Sequence, residues 1–238
     1  MREWVRMPSF WLRDDNNLPL PAMRWSGPQK ADQIAALMLY IVLVHHANDK
    51  PNAINPVAGT CSMTYTQLSD VTGLSRAKVA GGLKILLELD VISAVGTGRK
   101  NVFKIINFEN RGGWGKLPAK GLYSKDLRKI DAFHTFHLRT KNELNALKVY
   151  LMVVALREDA SNYAKVGYVK LSRYTGIHRN ELKSAISLLI NLNLIQVDSG
   201  VSDVNQYATV NMYRPCHLEA YKHRGTVGRS SVNFFVES

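Results

Sequence analysis

The chain carries one pattern twice. Thr72-Gly73-Leu74-Ser75-Arg76 is followed by Val79, Leu83, Leu86, Leu87, Leu89, Val91 and Ile92, and the pattern returns 103 residues later. The second copy reads Thr175-Gly176-Ile177-His178-Arg179, followed by Leu182, Ile186, Leu189, Ile190, Leu192, Leu194 and Ile195. Leu68-Ser69 matches Leu171-Ser172 at the same offset. Apolar residues recur at three and four, the period of an amphipathic helix. Each copy predicts a short helix, a glycine turn, a longer helix and a strand. That order describes a helix-turn-helix running into a β-hairpin wing. The expected fold class is mainly α with small β wings (α+β), in two tandem winged helix-turn-helix domains.

Boundaries follow from punctuation. Residues 1–28 read as an extension rich in Trp and Pro, with Trp4, Trp11 and Trp25, and Leu18-Pro19-Leu20-Pro21 cannot continue a helix. A first domain is expected over 29–110. It starts with a helix from Lys30 to His46 and has a short strand at Met63–Tyr65. Ser75 should cap its second repeat helix. Its wing strands are expected at Val91–Val95 and Asn101–Ile106, with a basic tip at Gly96-Thr97-Gly98-Arg99-Lys100. Residues 111–129 carry six basic residues against Asp126 alone, with four glycines and a proline, and read as an open basic linker. A second domain is expected over 130–215. It has an apolar strip at Phe133, Phe136 and Leu138, helices at Lys141–Glu158 and His178–Asn191, and strands at Ile195–Val197 and Tyr207–Met212. A tail, 216–238, follows.

Charge points to a polyanionic partner. The net charge is +12, from 31 basic and 19 acidic side chains. Up to Lys120 there are 15 basic and 9 acidic residues, and beyond it 16 and 10, so each part carries +6. Nucleic acid is the expected partner. The longest apolar run, Ile34 to Val44, is too short to span a bilayer, so no membrane is expected. Glu3, Asp14 and Asp15 interrupt any signal-peptide pattern, and two cysteines make no disulfide framework. A cytoplasmic, nucleoid- or plasmid-associated location fits.

In a helix-turn-helix the second helix enters the major groove, and its first turns meet base edges. With the apolar positions turned inward, the outward face presents Ser75, Arg76, Lys78 and Gly81 in the first copy. In the second it presents His178, Arg179, Asn180, Lys183 and Ser184. Arg forks onto the O6 and N7 of guanine, and Asn onto adenine. Arg99, Lys100 and Asn101 at the first wing tip suit a phosphate or minor-groove contact. The second tip, Asp198 to Asp203, holds two aspartates and no cation. Gly81-Gly82 in mid-helix has two explanations, close approach to DNA or tight packing on the preceding helix.

The residues supply no enzyme signature. His134 and His137 lack the spacing of a metal pair on one strand face, and Cys216, His217 and His223 fall short of a zinc set. No phosphate-binding or nucleophile-elbow motif occurs, so neither enzyme activity nor a metal or cofactor is expected.

Leu68-Ser69-Asp70-Val71-Thr72-Gly73-Leu74-Ser75-Arg76, with Leu89-Asp90-Val91-Ile92 leading to a basic hairpin, resembles the winged helices of bacterial regulators. Two such units in one basic chain resemble the tandem winged-helix replication initiators of bacterial plasmids. That resemblance implies binding to double-stranded origin DNA, one domain able to dimerise, and partners among the replication or transcription machinery. The rival expectation is a tandem winged-helix interaction scaffold of a chromosome- or plasmid-maintenance complex. Because the two heads differ in sequence, a monomer's DNA site is expected to be asymmetric. The three tryptophans, costly to leave in water, suggest a homodimer in which the extension takes part.

Overall fold

Two copies of one helix-and-sheet arrangement make up most of the structure. In a computed structural model, which describes residues 1–15, 18–53, 55–95, 101–109, 113–201 and 209–218, strand β1 (Trp4–Pro8) and the short helices α1 (Phe10–Arg13) and α2 (Pro19–Ala22) come first. The first copy follows: α3 (Lys30–His46), β2 (Thr60–Ser62), α4 (Tyr65–Thr72), α5 (Arg76–Glu88), β3 (Ile92–Ala94) and β4 (Val102–Ile105). Strand β5 (Trp114–Pro118) and two turns of 3-10 helix lead to the second copy. That copy contains α6 (Lys141–Leu156), β6 (Ala164–Lys165), α7 (Tyr168–Thr175), α8 (Arg179–Asn191), β7 (Ile195–Val201) and β8 (Thr209–Pro215). Helices form the core, and the sheets are small and antiparallel, ordered β2-β4-β3 and β6-β8-β7. Among the described residues no helix is long and apolar enough to cross a membrane.

The glycine turns match atom for atom. Gly73 and Gly176 end α4 and α7 in the left-handed region, at φ 75° and 69°. That region penalises a Cβ, hence glycine. Each glycine N–H donates 2.8 Å to the serine carbonyl four residues back, Ser69 or Ser172. Thr72 donates its hydroxyl to the Leu68 carbonyl and accepts the Leu74 N–H, at 2.6 and 3.2 Å. Thr175 does the same with Leu171 and Ile177, at 2.6 and 3.3 Å. Ser69 and Ser172 donate to the Leu74 and Ile177 carbonyls. The repeated Leu-Ser-x-x-Thr-Gly string is thus a turn whose orphan backbone groups are met by its own hydroxyls.

Helix starts are also encoded locally. Thr64 and Gln67 form a capping box on α4, and Thr140 and Glu143 form one on α6. Glu143 does more, accepting N–H donors from His137, Leu138, Arg139 and Thr140 within 2.5–3.2 Å. Those donors hold its carboxyl below the usual range against the opposing effect of burial.

Two expectations change. The expected open linker is folded from residue 113 on: β5 pairs along its full length with β1, and Leu117 and Ala119 are fully buried. The short strand expected at Met63–Tyr65 falls three residues earlier, because Thr64 caps α4. The apolar strip at Phe133, Phe136 and Leu138 starts with a 3-10 turn (Phe133–Thr135), with Phe133 and Phe136 buried edge to face. The extension is folded too. Trp11 donates to the Tyr40 hydroxyl at 3.0 Å, which donates to the Pro8 carbonyl, and Trp4 stacks on Trp114. Trp25 lies beneath the Lys30 ammonium, 5.3 Å away. The three tryptophans are thus half-buried against their own chain.

Gly82 is explained by packing. A Cβ there would stand 2.7–2.9 Å from Leu39 and from the backbone of Ala35 and Ala36 on α3. At Gly81 it would meet only the Asp32 carboxylate, the end of a side chain that can turn away. Ala is ordinarily worth about 1 kcal/mol over Gly in a helix. Gly82→Ala should nonetheless destabilise the protein by about 1–3 kcal/mol through overpacking, whereas Gly81→Ala should be near neutral. Urea unfolding midpoints of the two variants check this; a Gly82→Ala protein more stable than wild type would refute the packing argument.

Candidate nucleic-acid interface

Helix α5 begins at an exposed corner. Ser75 is its N-cap and accepts the Lys78 N–H at 3.3 Å, so its hydroxyl works first on the helix. Arg76, in the first helical position, is exposed and makes no ion pair among the described residues. The first turn holds no acidic residue. A cation there opposes the positive end of the helix dipole, by roughly 0.3–1 kcal/mol. At α8 Arg179 is likewise exposed in the first helical position and makes no ion pair among the described residues, although this turn also holds Glu181. Lys183 and Ser184 continue its exposed face. His178 is the N-cap without capping through its side chain; its Nδ1 lies 2.6 Å from the Asn180 Oδ1.

Two of the expected contact residues have other work. Lys78 turns back to Asp32 on α3, with Nζ 2.8 Å from the carboxylate. Gly81 is half-buried beside the same carboxylate rather than on the outward face. The cause is the helix pitch: positions 78, 81 and 82 fall on the side turned to α3. The second copy holds the matching corner with the signs exchanged. Glu181, equivalent to Lys78, receives Lys141 of α6 at 2.7 Å. The Asn142 side chain donates to the Ser184 carbonyl at 3.4 Å. Each second helix is thus pinned by an ion pair to the long helix behind it, leaving Arg76 and Arg179 as the shared free cations of the two first turns.

The hairpins differ. Arg99 and Lys100 lie outside the described residues, and Asn101 is exposed at the foot of β4. In the second hairpin Asp198 accepts the Tyr163 hydroxyl at 2.6 Å, and Arg214 stacks over the Tyr163 ring. Burial first, and then the Asp198 carboxylate, raise the Tyr163 hydroxyl pKa, so it stays a donor. Tail residues 219–238 and loop residues 202–208 lie outside the described residues.

His134, Cys216 and His45 pack into the fold. The His134 ring covers the Gly73 turn, and its Nε2 is 3.2 Å from the Asp70 carbonyl. Cys216 is buried and contacts the Asn193 side chain. Among the described residues no three His, Cys, Asp or Glu side chains group as metal ligands. His45 is buried between Pro118 and Tyr123, and desolvation lowers its pKa to about 3. Its Nε2–H therefore donates to the Pro118 carbonyl, and Nδ1 accepts the Tyr123 hydroxyl.

One supporting residue went unread in the sequence. Lys148 is buried in α6 and donates to the Thr175 carbonyl at 3.1 Å, behind the second glycine turn. The signal was a single lysine within the apolar stretch Leu144–Ala155. Desolvation, then Lys141 and Arg24, lower its pKa to about 8. The unfolded chain, at 10.5, binds the proton more tightly. Stability should therefore rise with pH between about 8 and 10.5 as the buried cation is relieved. Lys148→Met should lack that rise, so the stability of wild type relative to the variant should grow by about 3 kcal/mol across the window. Parallel denaturant titrations at pH 7.5 and 10.5 measure it, and an unchanged difference would refute a buried, charged Lys148.

The sequence matches no protein-family model, and no curated protein is similar to it, so what this face does follows from its own geometry.

Proposed function

We propose that the chain is a sequence-specific double-stranded DNA-binding protein with two winged helix-turn-helix heads. One observation carries the reading: Arg76 and Arg179 occupy the same first-turn position of two equivalent, exposed helices, unpaired among the described residues and against the helix dipole. A guanine edge or a phosphate removes that electrostatic cost and uses the fork geometry. The +12 charge, shared equally, adds the long-range attraction. Lys183, Ser184, His178, Asn180 and Ser75 border the arginines and complete the proposed contact set. Lys78 and Gly81 leave it.

The biological role proposed is replication initiation or transcription control on a plasmid or other mobile element, by likeness of architecture to tandem winged-helix initiators. A scaffold needs no exposed arginines at the head of its second helices. The acidic Asp198 in the second hairpin favours a head whose wing stands away from phosphate.

Arg76→Ala and Arg179→Ala should each weaken binding to the selected site by roughly 1–3 kcal/mol and binding to random DNA very little. Lys100→Ala should weaken both alike and flatten the salt dependence by about one ion. Fluorescence anisotropy across a salt series separates these outcomes. Equal losses on both DNAs for the arginine variants would mean phosphate contact without base reading. No binding at low salt would return the chain to the scaffold reading.

A further inference from the structure

A second repeat lies in the segments outside the two heads. Trp4-Val5-Arg6-Met7-Pro8 and Trp114-Gly115-Lys116-Leu117-Pro118 share Trp, a cation, an unbranched or γ-branched apolar residue and Pro, 110 residues apart. These are the strands β1 and β5, and they pair with each other. Their register is reciprocal: Trp4 faces Pro118, Pro8 faces Trp114, and the central pair is Arg6 with Lys116. Each residue thus meets the repeat mate of the residue at the mirrored position. That reciprocity, i on j and j on i, is the signature of a two-fold interface. Trp4 and Trp114 stack across the centre, with ring centroids 6.1 Å apart and planes 8° from parallel.

Contacts elsewhere in the molecule show the same reciprocity. The equivalent helices α3 and α6 pack on each other, and each supports its own strand of the ribbon. The segments ahead of them cross over. Pro21 covers the Gly176 turn of the second copy, where a Cβ would stand 2.7 Å from its Cα. His134 covers the Gly73 turn of the first, where a Cβ would stand 3.0 Å from its ring. Each copy's leading arm lies on the other copy's head, as in an arm-exchanged dimer, here within one chain.

We infer that one chain binds an inverted pair of half-sites, filling as a monomer the kind of site that helix-turn-helix proteins ordinarily fill as symmetric dimers. The inference rests on the DNA-binding reading above. A two-fold axis puts α5 and α8 at equal height along it and in opposed directions. B-DNA has its own two-fold axes perpendicular to the duplex, so the two axes coincide when both heads enter grooves. The half-sites match where Arg76 and Arg179 reach. They diverge where Ser75 faces His178, Ala77 faces Asn180 and Ala80 faces Lys183. The site is therefore an imperfect palindrome, not the unrelated pair of half-sites that the differing helix sequences suggest by themselves.

The test uses the full chain. Sites are selected from random duplex DNA, and the mass of the complex on the best site is measured by sedimentation. Guanine-methylation interference is then mapped for wild type, Arg76→Ala and Arg179→Ala; both substitutions are at exposed positions. One chain per site is expected. Each variant should lose interference at one guanine, the two guanines lying equally far from the centre on opposite strands. Turning one half-site around at constant spacing should cost on the order of 100-fold in affinity, the avidity of paired engagement. Lost guanines on the same strand in direct repeat, or two chains per inverted pair, would overturn the two-fold reading while leaving DNA binding intact. Failure to enrich any sequence would overturn the DNA-binding reading itself, and this inference with it.

Discussion

An α-helix that is apolar on every side has to be covered on every side, and α3 is such a helix. From Ile34 to Val44 each residue is at most 1% exposed. Each large side chain so buried contributes roughly 1.5–3 kcal/mol, which no single packing partner supplies alone. The cover comes from α5 and α4 in its own copy, α6 from the other, and β1 above. Helix α6 is buried almost as completely and makes matching demands. The two copies are therefore not beads on a string. Their central helices are each other's solvent shield, and the ribbon of β1 and β5 closes the remaining side. This fixes how the exposed first turns of α5 and α8 stand relative to each other.

The parts legible in the sequence are those whose causes are local. The boundaries of α3 follow from its apolar run, and those of α5 from Ser75 and the glycine turn. The left-handed Gly73 and Gly176 follow from the need to end one helix and start the next within three residues. The α+β class follows from the repeat. What was not legible depends on partners far along the chain. The stretch around Lys116 has the glycines and charges of a linker, and only its pairing with a strand 110 residues earlier makes it a strand. Lys78 reads as a DNA contact until Asp32, 46 residues away, is found beside it. Gly81 and Gly82 left two explanations open, and the backbone of α3 decides for packing at Gly82. The match between Trp4–Pro8 and Trp114–Pro118 was visible, but five residues at a different offset carry little weight until they are seen paired.

The exchanged signs at the two corners, Lys78 with Asp32 and Glu181 with Lys141, show how the copies have diverged without losing geometry. Both pairs tie the first turn of the second helix to the long helix behind it. Surface pairs of this kind contribute little to stability, about 0–1 kcal/mol. Their value lies in holding one side of the helix so that the other presents its arginine in a fixed direction.

The crossed arms also set an order of events in synthesis. Residues 4–8 are made well before β5 exists to pair with them, and α2 must wait for α7 at residues 168–175. At about 5–20 residues per second, that wait lasts roughly ten to thirty seconds. During it Trp4 lacks Trp114, and the apolar faces of α3 lack α6. The two copies cannot be completed one after the other; the first copy stays open until the second has emerged. Strand β1 is thus locked in only long after it has been made.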